Sequence, residues 1–231
     1  SEDVWFSSNR GTPVTIKHPD EDDITGDQQN FIADYFNKME AAVFASSFTN
    51  ETTGYRKYLD LDSFLKNFIV GEFAGNTDTY WSVYMYKDAA DGKLYTGPIW
   101  DYDLAFENDQ RTYPINNLSD YIYASCGSVA SEAMRSMVSR IVKEDPAAKA
   151  RLLELWTAAR TEGGLDDLNE MVDELEVLLQ ESQELNFKRW KILDQRVHEN
   201  YQALGSYSAE VGTVRTYITK RLESLDKLIR K

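Results

Sequence analysis

A chain of 231 residues at 42% hydrophobic composition holds enough apolar material for one sizeable core. Its 39 Asp and Glu outweigh 25 Lys and Arg, a net charge of −14 that argues against nucleic acid or an anionic membrane surface as the main partner and suits basic ones. No apolar run approaches the roughly 18 to 20 residues that span a bilayer, and a single cysteine, Cys126, excludes an internal disulfide.

Residues 1–24 read as a strand-like lead-in and a loop, with an apolar alternation over Pro13-Val14-Thr15-Ile16-Lys17 and then the acidic stretch Asp20 to Asp23. Thr25 and Gln28 match a capping box, and Phe31, Ile32, Tyr35, Phe36, Met39 and Val43 recur behind them at helical spacing. A second helix follows on Leu59, Leu61, Phe64, Leu65, Phe68, Ile69 and Phe73, started by Asp60 or Asp62 and stopped near Gly75-Asn76. Tyr80 to Tyr86 is short and rich in aromatic and β-branched residues, as strands are. A turn signal at Asp88-Ala89-Ala90-Asp91-Gly92 and a second strand from Leu94 to Trp100 complete a predicted β-hairpin.

Residues 107–128 are polar and loop-like, and beyond them the pattern is helical. One or two helices over 129–160 carry Met134, Met137, Val138, Ile141, Leu152, Leu155 and Trp156, broken at Asp145-Pro146. After Gly163-Gly164, apolar residues from Leu165 through Met171, Leu175, Leu178, Leu185 and Trp190 to Val197 predict one long helix, or two joined end to end, closed by Gly205. Val211, Val214, Ile218, Leu222, Leu225 and Ile229 give a last amphipathic helix. All these stripes are expected to be core. The acids Asp166, Asp167, Glu170, Asp173, Glu174 and Glu176 of the long helix and the bases Arg215, Lys220, Arg221, Lys227, Arg230 and Lys231 of the last one read as two solvated faces that contribute little to stability, with a side-by-side pairing as the alternative. The fold class is α+β, predominantly α-helical, in one domain: a lead-in (1–24), a core with the hairpin (25–128) and a helical tail (129–231).

Asp78 precedes the first predicted strand and Asp101 follows the second. In an antiparallel hairpin closed around residues 89 and 90 these positions face each other, with Cα atoms about 4.5 to 5.5 Å apart. Two like charges so close either hold a proton between them or recruit a divalent cation. Asp103 adds an oxygen ligand and Asn76 a neutral one, a hard donor set that favours Mg²⁺ or Mn²⁺. The plainer alternative is that these Asp side chains cap turns. No Gly-x-Ser-x-Gly elbow and no Gly-rich phosphate loop ending in Lys-Ser or Lys-Thr occurs. His18, in a loop, and His198, placed on a helix, read as ordinary side chains, and Cys126 has no base beside it.

The wording around the acids is more specific than their spacing. Tyr58-Leu59-Asp60-Leu61-Asp62-Ser63-Phe64, Glu72-Phe73-Ala74-Gly75-Asn76-Thr77-Asp78, Tyr84-Met85-Tyr86-Lys87-Asp88 and Gly97-Pro98-Ile99-Trp100-Asp101-Tyr102-Asp103-Leu104-Ala105-Phe106 resemble the spore-coat protein H (CotH) family of atypical kinases. Lys17-His18-Pro19-Asp20 and Asn186-Phe187-Lys188-Arg189-Trp190 resemble that family's entry and tail. The resemblance implies a distorted kinase-like fold, here its C-lobe-like part, that uses ATP with Mg (or Mn) to phosphorylate Ser on Ser-rich or basic protein substrates, at a bacterial surface or in a spore coat. It implies that Asp78 is the catalytic Asp, that Asp101 binds metal in a Trp-Asp-x-Asp motif with Asp103 as its second acid, and that Trp81 and Trp100 wall the site. Ser82 and Val83 stand where kinases place a second metal-binding Asn. The family's Gly-containing strands and nucleotide-contacting Lys precede the region that begins this chain, which lacks an initial Met; as it stands it is expected to be a processed or truncated piece, inactive or nearly so. Two alternatives stay open: a non-catalytic assembly scaffold with a kinase-like fold, and a carboxylate-pair glycoside hydrolase, disfavoured because the pair lies on one hairpin.

Overall fold

In the computed structural model, which describes residues 4–88, 92–110, 120–125 and 131–231, the lead-in is two strands rather than one. β1 (Val4–Ser7) and β2 (Pro13–Ile16) pair antiparallel with Val4 opposite Ile16. α1 (Gly26–Phe44) starts at the expected box: Thr25 accepts from the Gln28 N–H, and the Gln28 side chain accepts from the Thr25 N–H at 2.8 Å. Its buried face includes Phe36, Met39 and Val43. Glu40 lies on the same face and accepts from Ser8 Oγ (3.0 Å) and Thr12 Oγ1 (2.7 Å), which ties the β1–β2 hairpin to the helix.

α2 (Leu61–Ala74) is capped by Asp60, not Asp62, because Asp60 Oδ1 takes the Ser63 N–H at 2.8 Å. It ends at Gly75, whose left-handed φ of 73° turns the chain out of the helix. The second hairpin is shorter than predicted: β3 (Met85–Lys87) and β4 (Leu94–Thr96) hold three residues each. Residues Thr77–Tyr80 form a 3₁₀ turn instead of leading into a strand. Met85 pairs with Thr96 and Lys87 with Leu94, a register two positions away from the one that would oppose Asp78 to Asp101. Leu94 is held at both backbone groups, donating to Tyr58 O at 2.7 Å and accepting from Asp60 N at 2.8 Å, so the register answers to the chain before α2. The turn residues 89–91, like Cys126, lie outside the described residues.

Downstream lie α3 (Ile122–Ser125), α4 (Glu132–Glu144) and α5 (Pro146–Thr161). The predicted break falls where expected: Asp145 Oδ1 accepts the Ala147 N–H at 2.9 Å, with Pro146 at the first helical position. α6 (Leu168–Leu178) and α7 (Gln180–Arg189) are joined end to end, and α8 (Tyr207–Ile229) is capped by Ser206. The helix stops at Arg189 rather than running on to Val197. Residues 190–205 instead close local turns, with Gln195 N on Ile192 O and Asn200 N on Val197 O. His198 sits there in the left-handed region (φ 52°), off any helix. Arg215 of α8 meets Asp173 at 2.6 Å and also Glu176, the side-by-side alternative, whereas Arg221 leaves the predicted solvated face and is fully buried against Glu72.

The chain divides into two compact units. One comprises Ser1–Asn67, Tyr80–Ile99 and Gly127–Ala150, and buries Met39, Tyr55, Leu59, Leu65, Met137 and Ile141. In it the Tyr55 hydroxyl donates to the buried Asp145 carboxylate at 2.7 Å. The other comprises Phe68–Thr79, Trp100–Cys126 and Arg151–Lys231, with Phe68, Phe73, Tyr121, Trp156, Tyr217 and Leu225 in its core. Core status does not extend to every predicted stripe: on α6 and α7 Met171, Leu175, Leu178 and Leu185 face solvent. No described helix is long and apolar enough to cross a membrane.

Candidate functional site

The acids singled out in the sequence all fall in the second unit, and a buried amide joins them. Gly75 turns the chain out of α2 so that Asn76 and Thr77 point inward, 4% and 1% exposed. Asn76 Oδ1 accepts the Asp78 N–H at 3.0 Å, while Asn76 Nδ2 donates to the Asp101 carbonyl at 3.1 Å. One side chain thus clamps the two acid-bearing segments to each other. Both ends of its amide are bonded to the backbone, with one lone pair of Oδ1 taken by the Asp78 N–H.

Asp101 adopts a left-handed backbone (φ 62°), as do Phe106 (φ 57°) and Glu107 (φ 65°). That region is costly for residues with a Cβ and persists only where neighbours enforce it. Asn76 holds one end of the segment. At the other end Phe106 N donates to Ala74 O at 2.7 Å, and the Phe106 ring lies edge-on to Phe73 and Tyr217.

The carboxylates themselves meet differently from the predicted pairing. Asp101 and Asp103, both exposed, are close enough to hydrogen-bond through their side chains. That bond comes first in raising the Asp101 pKa above the ordinary carboxylate value, followed by partial desolvation and the negative charges of Asp103 and Asp78. Asp103 is thus the acid that acts most strongly on Asp101, and half-buried Asp78 acts on it through its field. The hairpin register is not what gathers them, because β3 and β4 stop well short of both segments.

Among the described residues no group of three or more His, Cys, Asp or Glu side chains forms a ready metal cage. Two neighbouring carboxylates beside a third negative charge still suit a hard divalent cation. Mg²⁺ in particular is held by one or two carboxylates and keeps several waters. Trp100, next to Asp101, is solvent-exposed, whereas Trp81 and Ser82 are half-buried in the other unit. His18 and His198 are exposed and lie apart from this cluster in sequence.

Two buried acids escape a reading of the sequence. Asp109 is fully buried and accepts from Thr77 Oγ1 at 3.1 Å, one residue before Asp78. Glu72, on the last turn of α2, accepts from Ile122 N (2.6 Å), Tyr123 N (3.0 Å) and Arg221 Nη2 (2.8 Å). A lone Glu between Ile69 and Phe73 in an apolar helix is a signal that could have been found; Asp109, in a polar loop, offers none.

Residues 6–225 match a family model described as CotH kinase protein. No curated protein and no solved structure matches the chain.

Proposed function

The chain belongs to the CotH kinase protein family, whose model covers most of its length, and from that membership we propose that it is the C-lobe-like part of an atypical protein kinase that transfers the terminal phosphoryl group of ATP to serine on a protein. On this reading Asp78, its backbone fixed by Asn76, orients the serine hydroxyl and accepts its proton as the oxygen bonds to phosphorus and the bond to the departing ADP breaks. Asp101 and Asp103 are the residues that would hold Mg²⁺ or Mn²⁺, which when bound offsets phosphate charge. The Asn76 clamp keeps Asp101 and Asp78 in a fixed relation before any ligand arrives, and preorganisation of this kind is what phosphoryl transfer asks of a protein. The strongly acidic chain favours a basic substrate, and the family likeness favours a bacterial surface or spore-coat setting.

The observation that carries this reading is the bridging of the two acid-bearing segments by one buried amide in a chain of this family. The test is phosphate transfer from radiolabelled ATP with Mg²⁺ by the full-length gene product, wild type beside Asp78→Asn and Asp101→Asn. Each substitution is expected to lower labelling by about 10²-fold or more. Equal labelling in all three proteins removes the assignment.

A further inference from the structure

The solvent-facing row on α6 and α7 is a continuous band. Met171, Leu178 and Leu185 repeat every seven residues, with Leu175 between the first two, so at about 100° per residue they share a narrow strip of helix surface. Their exposures are 55%, 75%, 68% and 43%. The helical path continues across the junction: Leu179 N donates to Leu175 O at 2.9 Å, and Leu179 O accepts from Gln183 N at 2.8 Å. The face turned toward α8 is a different one, marked by half-buried Val172 and by Glu176, which pairs with Arg215. Along the strip's opposite edge stand Asp167, Glu170, Glu174 and Glu181, all exposed.

An apolar row of this length, seven-residue period and one acidic edge has the form of one half of a helix–helix seam. We propose that the α6–α7 strip docks an amphipathic helix of a partner protein, with apolar residues at spacings of three and four and a flank of Lys or Arg. The charge decides between occupants. A second copy of this chain would bring a like-charged edge and a net charge of −14 to the contact, whereas a basic flank is complementary to both.

The probe is a fluorescein-labelled Leu/Lys peptide about three heptads long, with a scrambled peptide of the same composition and a Leu/Glu counterpart, titrated by anisotropy against the 231-residue chain. Two surface variants accompany it, Leu178→Gln/Leu185→Gln and Glu174→Lys/Glu181→Lys; their new residues are good helix formers, and circular dichroism melts verify the fold. Saturable binding of the ordered Leu/Lys peptide is expected, weakened about tenfold or more by scrambling and by either variant, with no binding of the Leu/Glu peptide and a monomer in sedimentation velocity. Equal binding of the scrambled peptide, or binding indifferent to Leu178→Gln/Leu185→Gln, overturns the proposal. So does a dimer that this variant dissolves, which would assign the strip to self-association.

Discussion

Glu72 and Arg221 form an ion pair at 2.8 Å with both side chains shut off from solvent, 1% and 0% exposed. Arg221 Nε also donates to the Glu72 carbonyl at 2.8 Å, and the Glu72 carboxylate takes the N–H groups of Ile122 and Tyr123. The pair therefore bolts the last turn of α2, from which the Asn76 clamp departs, to α8 and to the start of α3. Removing one partner of such a pair leaves a buried charge uncompensated. Arg221→Met is expected to lower unfolding stability in urea by about 3–5 kcal/mol. The double variant Glu72→Met/Arg221→Met should lose less than the two singles added together.

The Asp101–Asp103 hydrogen bond sets a pH dependence. The Asp101 pKa is raised, so the folded chain holds this proton more readily than the unfolded one. The stability it contributes is present below the unfolded carboxylate value and is lost as pH rises through the raised value. A carboxyl-carbon NMR titration should place the Asp101 midpoint above the ordinary 3.8. Asp103→Asn should bring it down, because an amide can donate to the ionised form without adding negative charge. Added Mg²⁺ should lower the wild-type midpoint as well, by competing with the proton. A midpoint indifferent to both changes would separate the two side chains.

What was legible in the sequence was local. The Thr25–Gln28 box and the Asp145-Pro146 break depend on neighbours within a helical turn, and both stand where the residues place them. The hairpin register depends on Leu94 bonding to Tyr58 and Asp60, more than thirty residues back, and a pattern of alternating side chains carries no record of that. The acids of the candidate site were related in the sequence by the wrong device: a side-chain amide, not a ladder, ties the backbones of Asp78 and Asp101. Periodicity in α6 and α7 announced helices correctly, yet it could not say which stripe another helix covers. Val172 turns toward α8, while Leu178 remains in water.

Thr77 links the buried Asp109 carboxylate to the chain immediately before Asp78. Thr77→Val keeps the volume and removes the hydroxyl, so the carboxylate loses a donor in a place water does not reach. The expected cost is about 1.5–3 kcal/mol, the range for a hydrogen bond to a charged group. Phosphate labelling by the full-length protein should fall with it, since Asp78 is the next residue. Thr77→Ser retains the hydroxyl and should recover most of both losses. Full stability in Thr77→Val would show that Asp109 does not depend on this donor.

Gly71 tests the packing behind the site. A Cβ built there would lie 2.5 Å from Thr79 Oγ1 and 2.9 Å from Thr79 Cβ, and would also collide with Cγ2, so the two residues cannot both carry their side chains undisturbed. Alanine at a helical glycine normally gains about 1 kcal/mol. Overpacking at this distance costs about 1–3 kcal/mol, and the net effect of Gly71→Ala is expected to be destabilising. Thr79 directly follows Asp78, so relief of the clash by moving Thr79 displaces the acid, and activity should fall further than stability does. Pairing the change with Thr79→Ala removes Oγ1 and Cγ2 but keeps the 2.9 Å approach to Cβ, and should recover part of the stability in a urea melt. If Gly71→Ala alone proves more stable than the wild type, the chain at Thr79 gives way freely, and the rigid seating of Asp78 on which the proposed chemistry relies is not there.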